Sequence, residues 1–295
     1  MFADVLLAAR IERAEARLSA DVAGTALALG LAPGIFVEEV GGGVAVYAGA
    51  GSPVNKVIGA GFAGPPDPER LAAIEALFEA RGAPVQAEVA TLADPSWHTC
   101  LGSRSYRVVG FENVLGLSLD GAGGPVKGQE SAGQGPCAEG PITVVECSGP
   151  PDDETWLDVV ATGFGQPDEV PAAPAGQEFP REIIEATFRG FIRAPGFRRY
   201  LALVDGVAAG GAALREWQGI AGLCGASTLP AFRRRGVQTA LLVARLAAAR
   251  GRGCDLAVVT TAPGSKSQQN AERNGFRLLY ARALHMQHWP LETGA

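Results

Sequence analysis

Apolar and polar positions divide the chain into patterned stretches on either side of one long run almost free of large apolar side chains. That run, residues 120–141, reads Asp-Gly-Ala-Gly-Gly-Pro at its start and Gly-Pro-Cys-Ala-Glu-Gly-Pro at its end, and its glycine density predicts a flexible linker. It separates an amino-terminal unit, 1–119, from a carboxy-terminal one, 142–295, both of ordinary domain size. In the second unit Ile142-Thr143-Val144-Val145-Glu146-Cys147 is rich in β-branched residues and reads as a strand. A helix is expected over 152–164. Another is expected over 181–193, where Ile183, Ile184, Phe188, Phe191 and Ile192 recur at helical spacing. Strands at 200–204, 207–214 and 220–228, joined by an Asp205-Gly206 turn and a turn over 216–219, make an antiparallel meander. Residues 237–250 are alanine- and leucine-rich, and Gly251 stands where a helix would stop. A buried strand at 255–261, a short helix at 265–274 and a closing strand or strand pair at 275–286 complete the pattern.

The two halves share a spacing. Ala80-Arg81-Gly82 lies 169 positions before Ala249-Arg250-Gly251, and Ala93-Asp94-Pro95-Ser96 lies 169 before Ala262-Pro263-Gly264-Ser265. After a slip of one residue, Ser105-Tyr106-Arg107 corresponds to Gly275-Phe276-Arg277. A match that runs through helix end, loop, short helix and strand predicts a second copy of one fold in the amino-terminal unit. The class expected is α/β (α+β), with a mixed, mostly antiparallel sheet flanked by helices in each unit.

Composition narrows the function classes. Hydrophobic residues make up 47% and charged ones 19% of the 295, which suits a compact protein and not a disordered one. A net charge of −6 argues against a general nucleic-acid binder, which needs a broad basic face. Cys100, Cys137, Cys147, Cys224 and Cys254 are scattered without metal-ligand spacing, so no metal is expected. Asp4, Arg10, Glu12, Arg13, Glu15 and Arg17 interrupt the amino-terminal apolar residues, which excludes a signal-peptide core there and points to a cytoplasmic protein without a membrane partner.

One cluster breaks the rule of mixed surface charge. Arg233-Arg234-Arg235 runs straight into a predicted helix start, where the helix dipole disfavours cations. An anion would reconcile the two, since free N–H groups of the first turn cradle phosphates and Gly236 permits close approach. A solvated basic loop is the alternative reading of the arginines alone.

The order of meander strand, Pro230, Phe232, Arg-x-x-Gly-x, helix, buried strand and Gly275-Phe276 resembles the GNAT N-acetyltransferase superfamily over about 142–286. Its Gln/Arg-x-x-Gly-x-Gly/Ala hallmark is matched by Arg233-Arg234-Arg235-Gly236-Val237-Gln238, except that Gln238 stands at the second small-residue position. The resemblance implies tandem GNAT-like domains with acetyl-CoA as cosubstrate. The pyrophosphate would lie on Arg233, Arg234, Arg235, Gly236, Val237, Gln238 and Thr239. The pantetheine would lie between splayed strands at Ala226, Ser227 and Thr228, with Ser267 and Asn270 on its amides. The acceptor implied is a primary amine of a small molecule or peptide, acetylated directly in a ternary complex; a homodimer is a candidate assembly.

The tyrosine that in many relatives protonates the leaving thiolate is replaced by Ala271. Tyr280 is the substitute acid the sequence offers, and Glu216 and His285 are the candidate bases; packing or surface roles are their other readings. Cys224 and Cys254 read as small buried residues. The amino-terminal unit has Gly59-Ala60-Gly61-Phe62-Ala63-Gly64-Pro65-Pro66 where the arginine turn would be, so it reads as a degenerate copy. A catalytically inactive acyl-CoA-binding regulatory module is the alternative to an enzyme.

Overall fold

The computed structural model describes residues 3–120, 142–166 and 180–287. The predicted linker falls almost wholly outside the described residues. The chain forms two compact units, one comprising Val114–Leu278 and the other the described residues of Phe2–Asn113 and Leu279–Ala295.

The amino-terminal unit opens with helix α1, Val5–Ala28, capped by Asp4, whose side chain accepts from Leu7 N at 2.8 Å. Its buried stripe includes Ala8, Ile11, Val22 and Ala23 and, at the same helical spacing, Glu12. Strands β1 (Phe36–Val40) and β2 (Gly43–Tyr47) pair antiparallel around a Gly41-Gly42 turn in which both residues have positive φ. Then follow β3 (Lys56–Ile58), helix α2 (Pro68–Glu79), β4 (Val85–Ala90), helix α3 (Ser96–Ser103) and β5 (Arg107–Ser118). β3 and β4 are parallel, with α2 as the crossover between them.

The carboxy-terminal unit repeats this order. β6 (Ile142–Glu146) precedes helices α4 (Pro150–Phe164) and α5 (Arg181–Arg193), and the meander β7 (Phe197–Val204), β8 (Val207–Trp217), β9 (Ile220–Thr228) follows. Helix α6 (Val237–Gly251), β10 (Leu256–Thr261), helix α7 (Lys266–Arg273) and β11 (Arg277–Gln287) complete it. The strand order is β1-β2-β3-β4-β11-β5 for the amino-terminal unit and β5-β10-β9-β8-β7-β6 for the carboxy-terminal one, β5 contributing residues 107–113 to the former and 114–118 to the latter. β11 likewise leaves Arg277 and Leu278 in the carboxy-terminal unit and runs antiparallel to β4 from Arg282 to Gln287.

The repeat seen in the sequence has a conformational counterpart. Ser105 and Gly275, one residue before Tyr106 and Phe276, both adopt positive φ, 67° and 91°. In both copies the next residue donates to the short helix behind it, Tyr106 N to Leu101 O and Phe276 N to Ala271 O, each at 3.1 Å. A serine in the left-handed region is costly, so the turn is held by the surrounding fold and not by local preference. The fold is the tandem, mixed α/β architecture expected.

One element differs from its predicted bounds in a way that matters. Glu216 lies in β8, opposite Ala221, and not in a turn, because Gln218 and Gly219 both take positive φ and close a two-residue hairpin that leaves Trp217 paired with Ile220.

Candidate active site

The strand β9 carries two irregularities. Its register against β8 passes from Gly211↔Ser227 to Ala213↔Cys224, so one extra residue sits on β9, and Gly225 takes φ +59°. This is a β-bulge, which turns backbone groups out of the ladder. On its other edge β9 pairs parallel with β10 only through Leu256↔Ile220, Ala257↔Ala221 and Val258↔Gly222. β9 continues to Thr228 and β10 to Thr261, so their carboxyl ends part from each other beside the bulge.

Helix α6 begins beside these open ends. Its cap, Gly236, has φ +89° and no side-chain cap bond, and Arg234 before it has φ +62°. The first-turn N–H groups of Val237, Gln238 and Thr239 have no helical carbonyl to bond, as at any helix start. A Cβ on Gly236 would meet nothing of the chain closer than Ile142 Cδ1 at 3.7 Å, so the glycine leaves space in front of these donors.

The three arginines are not equivalent. Arg233 donates from Nε to Thr228 O at 3.3 Å and from Nη2 to Gln166 O. Arg235 lies over the Phe232 ring at 5.7 Å. Arg234 is exposed. Gln238 donates from Nε2 to Thr228 Oγ1 at 2.8 Å, which ties its side chain back to the end of β9.

Ala226 is exposed, while Ser227 and Thr228 are buried, the former with its hydroxyl 3.4 Å from Val159 O. Ser267 and Asn270 are exposed on α7, and the cap of that helix is Ser265, which accepts from Gln268 N at 3.1 Å. Cys254 is buried and Cys224 half-buried. At the end of β10 the Thr261 hydroxyl is buried without a hydrogen-bond partner. The start of α6 and the end of β9 are thus brought together at Thr228, which Arg233 and Gln238 both bond, while Ser267 and Asn270 stand on α7 after β10.

The expected acid and bases are divided between the two units. Glu216 stands seven residues of β9 away from Thr228, roughly 23 Å at the usual strand rise. It is bonded to Arg198 at 2.9 Å and Arg252 at 3.0 Å, with Glu146 joining the same two arginines. Tyr280 and His285 belong to the amino-terminal unit. The Tyr280 hydroxyl donates to Glu12 Oε1 at 2.7 Å, and burial together with the Glu12 charge pushes its pKa far above the ordinary phenol. His285 is buried with Nε2 3.0 Å from His98 Nδ1, and burial followed by the His98 charge lowers its pKa.

The amino-terminal unit has the matching helix, α2, but fills the anion position with its own carboxylate. Asp67 Oδ1 accepts from Glu69 N at 2.9 Å and Arg70 N at 3.3 Å, and Pro68 removes a further donor. Pro65 and Pro66, the prolines expected to delete donors, precede the cap; the sequence reading missed Asp67, whose position just before Pro68-Glu69 is an ordinary cap signal.

The family model described as Acetyltransferase (GNAT) family matches residues 166–276, which hold the meander, the bulge, the arginine turn, α6, β10 and α7. No curated protein matches the chain. Among solved structures, a GCN5-related N-acetyltransferase from Kribbella flavida is 19% identical over 96% of this chain and 96% of its own, with a TM-score of 0.62. A tandem GNAT protein from the clavulanic acid biosynthesis pathway is 15% identical over 87% of this chain and 84% of its own, TM-score 0.59. A GCN5-related N-acetyltransferase from Sphaerobacter thermophilus is 18% identical over 74% of this chain and 66% of its own, TM-score 0.52. Residues 166–276 are a domain of the acetyltransferase (GNAT) family, carried in a chain whose fold repeats that architecture in tandem.

Proposed function

We propose that the carboxy-terminal unit is an N-acetyltransferase that uses acetyl-CoA and acylates a primary amine by direct transfer. The observation that carries this reading is the uncapped start of α6 beside the parted ends of β9 and β10. Three features fit the cofactor: a helix terminus with no side chain over its donors, a glycine whose Cβ would occupy the space before them, and the orphaned Thr261 hydroxyl at the open strand end. When bound, acetyl-CoA supplies the activated thioester.

The chain's residues do the rest. Main-chain N–H groups from Arg234 to Thr239 hold the pyrophosphate, with the exposed Arg234 as the side chain best placed to join them. Arg233 and Arg235 shape the turn through the carbonyls of Thr228 and Gln166 and the ring of Phe232. Ala226, Ser227 and Thr228 offer main-chain bonds along the pantetheine, with Ser267 and Asn270 on its far side, and an N–H at the bulge faces the developing oxyanion. Positioning alone can supply roughly 7–11 kcal/mol of the barrier, so no covalent intermediate is invoked. Glu216, at the far end of β9 from Thr228 and paired with Arg198 and Arg252, favours proton transfer through solvent over its own carboxylate.

Ala271, buried where relatives have a tyrosine, keeps a second reading in view, that of an acyl-CoA-binding module without turnover. Steady-state release of free CoA with a panel of primary amines separates the two. Turnover above the rate of thioester hydrolysis supports the enzyme, whereas calorimetric binding of acetyl-CoA with no amine-dependent release supports the module.

A further inference from the structure

The two faces of the carboxy-terminal sheet near the bulge differ in what covers them. A Cβ on Gly210 would lie 2.6 Å from Val237 Cγ1, so that face belongs to α6. A Cβ on the next residue, Gly211, would lie 2.7 Å from Val160 Cγ2 and 3.2 Å from the Trp156 indole, so the opposite face belongs to α4. A cofactor held by α6 and passing between β9 and β10 presents its thioester from the α6 side. The amine must therefore approach over the α4 and α5 face.

That face is aromatic at the bulge. A Cβ on Gly225 would come within 3.3 Å of Phe188 Cε1 and 3.5 Å of Trp156 Cζ2, so the two ring edges stand against the bulge backbone. Trp156 and Phe188 meet edge to face at 5.3 Å, and Phe164, 46% exposed, stacks at a tilt on Phe188 at 5.9 Å. The indole N–H is committed to Ala212 O at 3.0 Å and Trp156 is fully buried, so its ring backs the half-buried Phe188.

Four carboxylates of the two helices have arginine partners. Asp158 and Glu185 both pair with Arg181, Glu154 pairs with Arg189, and Asp153 with Arg199. A polycation needs unpaired carboxylates to replace its water, whereas Asp153, Glu154, Asp158 and Glu185 are already paired and the described residues beside the bulge are aromatic.

Building on the acetyltransferase reading, we propose that the acceptor is a primary amine borne on an aromatic or other apolar group, bound over Phe188 and Phe164, and not a polyamine. The same surroundings assist the chemistry, because an apolar site disfavours the ammonium form and releases the lone pair that attacks. Nitrogen forms the bond to the acyl carbon, the carbon–sulfur bond breaks, and the amine proton passes through solvent to the thiolate.

The test is steady-state CoA release with tryptamine and phenylethylamine against spermidine, on the wild-type chain and on Phe164→Ala and Phe188→Ala, with acetyl-CoA affinity measured on each by calorimetry. Phe164 is exposed enough that its truncation leaves the fold standing. Expected are a kcat/KM for the arylalkylamines at least about tenfold above spermidine, and a loss of about tenfold or more in that ratio in the variants, the range one hydrophobic contact can supply. Acetyl-CoA affinity should not move. Preference for spermidine, an equal effect of the variants on both amine classes, or cofactor binding without turnover of any amine overturns the acceptor assignment. Absence of acetyl-CoA binding in the wild type overturns the acetyltransferase reading itself.

Discussion

Arg282 Nε donates to Glu12 Oε1 at 2.7 Å, with side chains 0% and 1% exposed, although 270 positions separate them in sequence. Arg282 also pairs with Glu15 and faces Glu112 at 3.5 Å and Glu88 at 3.8 Å, so one guanidinium from β11 holds carboxylates from α1, β4 and β5 of the amino-terminal unit. Removing a single partner from a buried pair strands a charge, at a cost of about 3–5 kcal/mol. Arg282→Met should lower unfolding free energy by that amount in urea, and adding Glu12→Leu should restore part of it by removing one stranded carboxylate. A single variant as stable as wild type would mean that water reaches this cluster.

Tyr280 donates to the same Glu12 oxygen. A phenol that shields a buried carboxylate stabilises the fold, and burial together with the Glu12 charge holds on to its proton. Tyr280→Phe should therefore cost about 1.5–3 kcal/mol of stability, one hydrogen bond to a charged group. The pH profile of kcat for CoA release should keep its wild-type shape. Loss of one limb of that profile would restore Tyr280 as a proton donor.

Glu112 responds to pH in the opposite sense to a surface carboxylate. Burial, then the Glu88 charge, pushes its pKa from 4.5 up to about 7 against the pull of Lys56 and Arg282, while the Glu15 charge adds to the rise. A raised folded pKa means that the fold holds a proton the unfolded chain has lost. Its stabilisation is complete below pH 4.5 and disappears as pH rises through about 7. Between pH 5 and 8 the melting temperature of wild type should fall more than that of Glu112→Gln, by at least about 3 °C if the shift is worth 1 kcal/mol or more. Parallel curves for the two proteins would remove Glu112 from the titration.

Much of the carboxy-terminal unit was legible because its signals are local. Asp205-Gly206 marks a turn through backbone preference, and three arginines before a helix conflict with its dipole within a few residues; α6, expected to end before Gly251, includes it and stops at Arg252, with the left-handed Gly253 after it. The cap of α7 is Ser265, the first residue of the expected 265–274 helix. Glu12 was illegible because a glutamate in an alanine-rich stripe looks solvated until Arg282 arrives from the far end of the chain. Glu216 was misplaced by two residues of strand, because Gln218 takes a left-handed conformation its sequence does not announce. The direction of the Gln238 side chain, back to Thr228, likewise depends on where β9 ends.

Gly236 can serve α6 in two ways, by adopting φ +89° and by leaving the space before the first-turn donors open, and two substitutions separate them. Alanine and asparagine both add a Cβ, but asparagine tolerates the left-handed region, where alanine pays about 1–2 kcal/mol. Because the added atom finds Ile142 Cδ1 only at 3.7 Å, neither variant meets a clash within the chain. Gly236→Ala should then be the less stable of the two by urea denaturation, while both should lose acetyl-CoA affinity by about tenfold or more, the worth of roughly one good charge-assisted bond to phosphate. Wild-type affinity in Gly236→Asn would show that the glycine serves only the backbone turn, and that the phosphates lie further from α6 than the open N–H groups suggest.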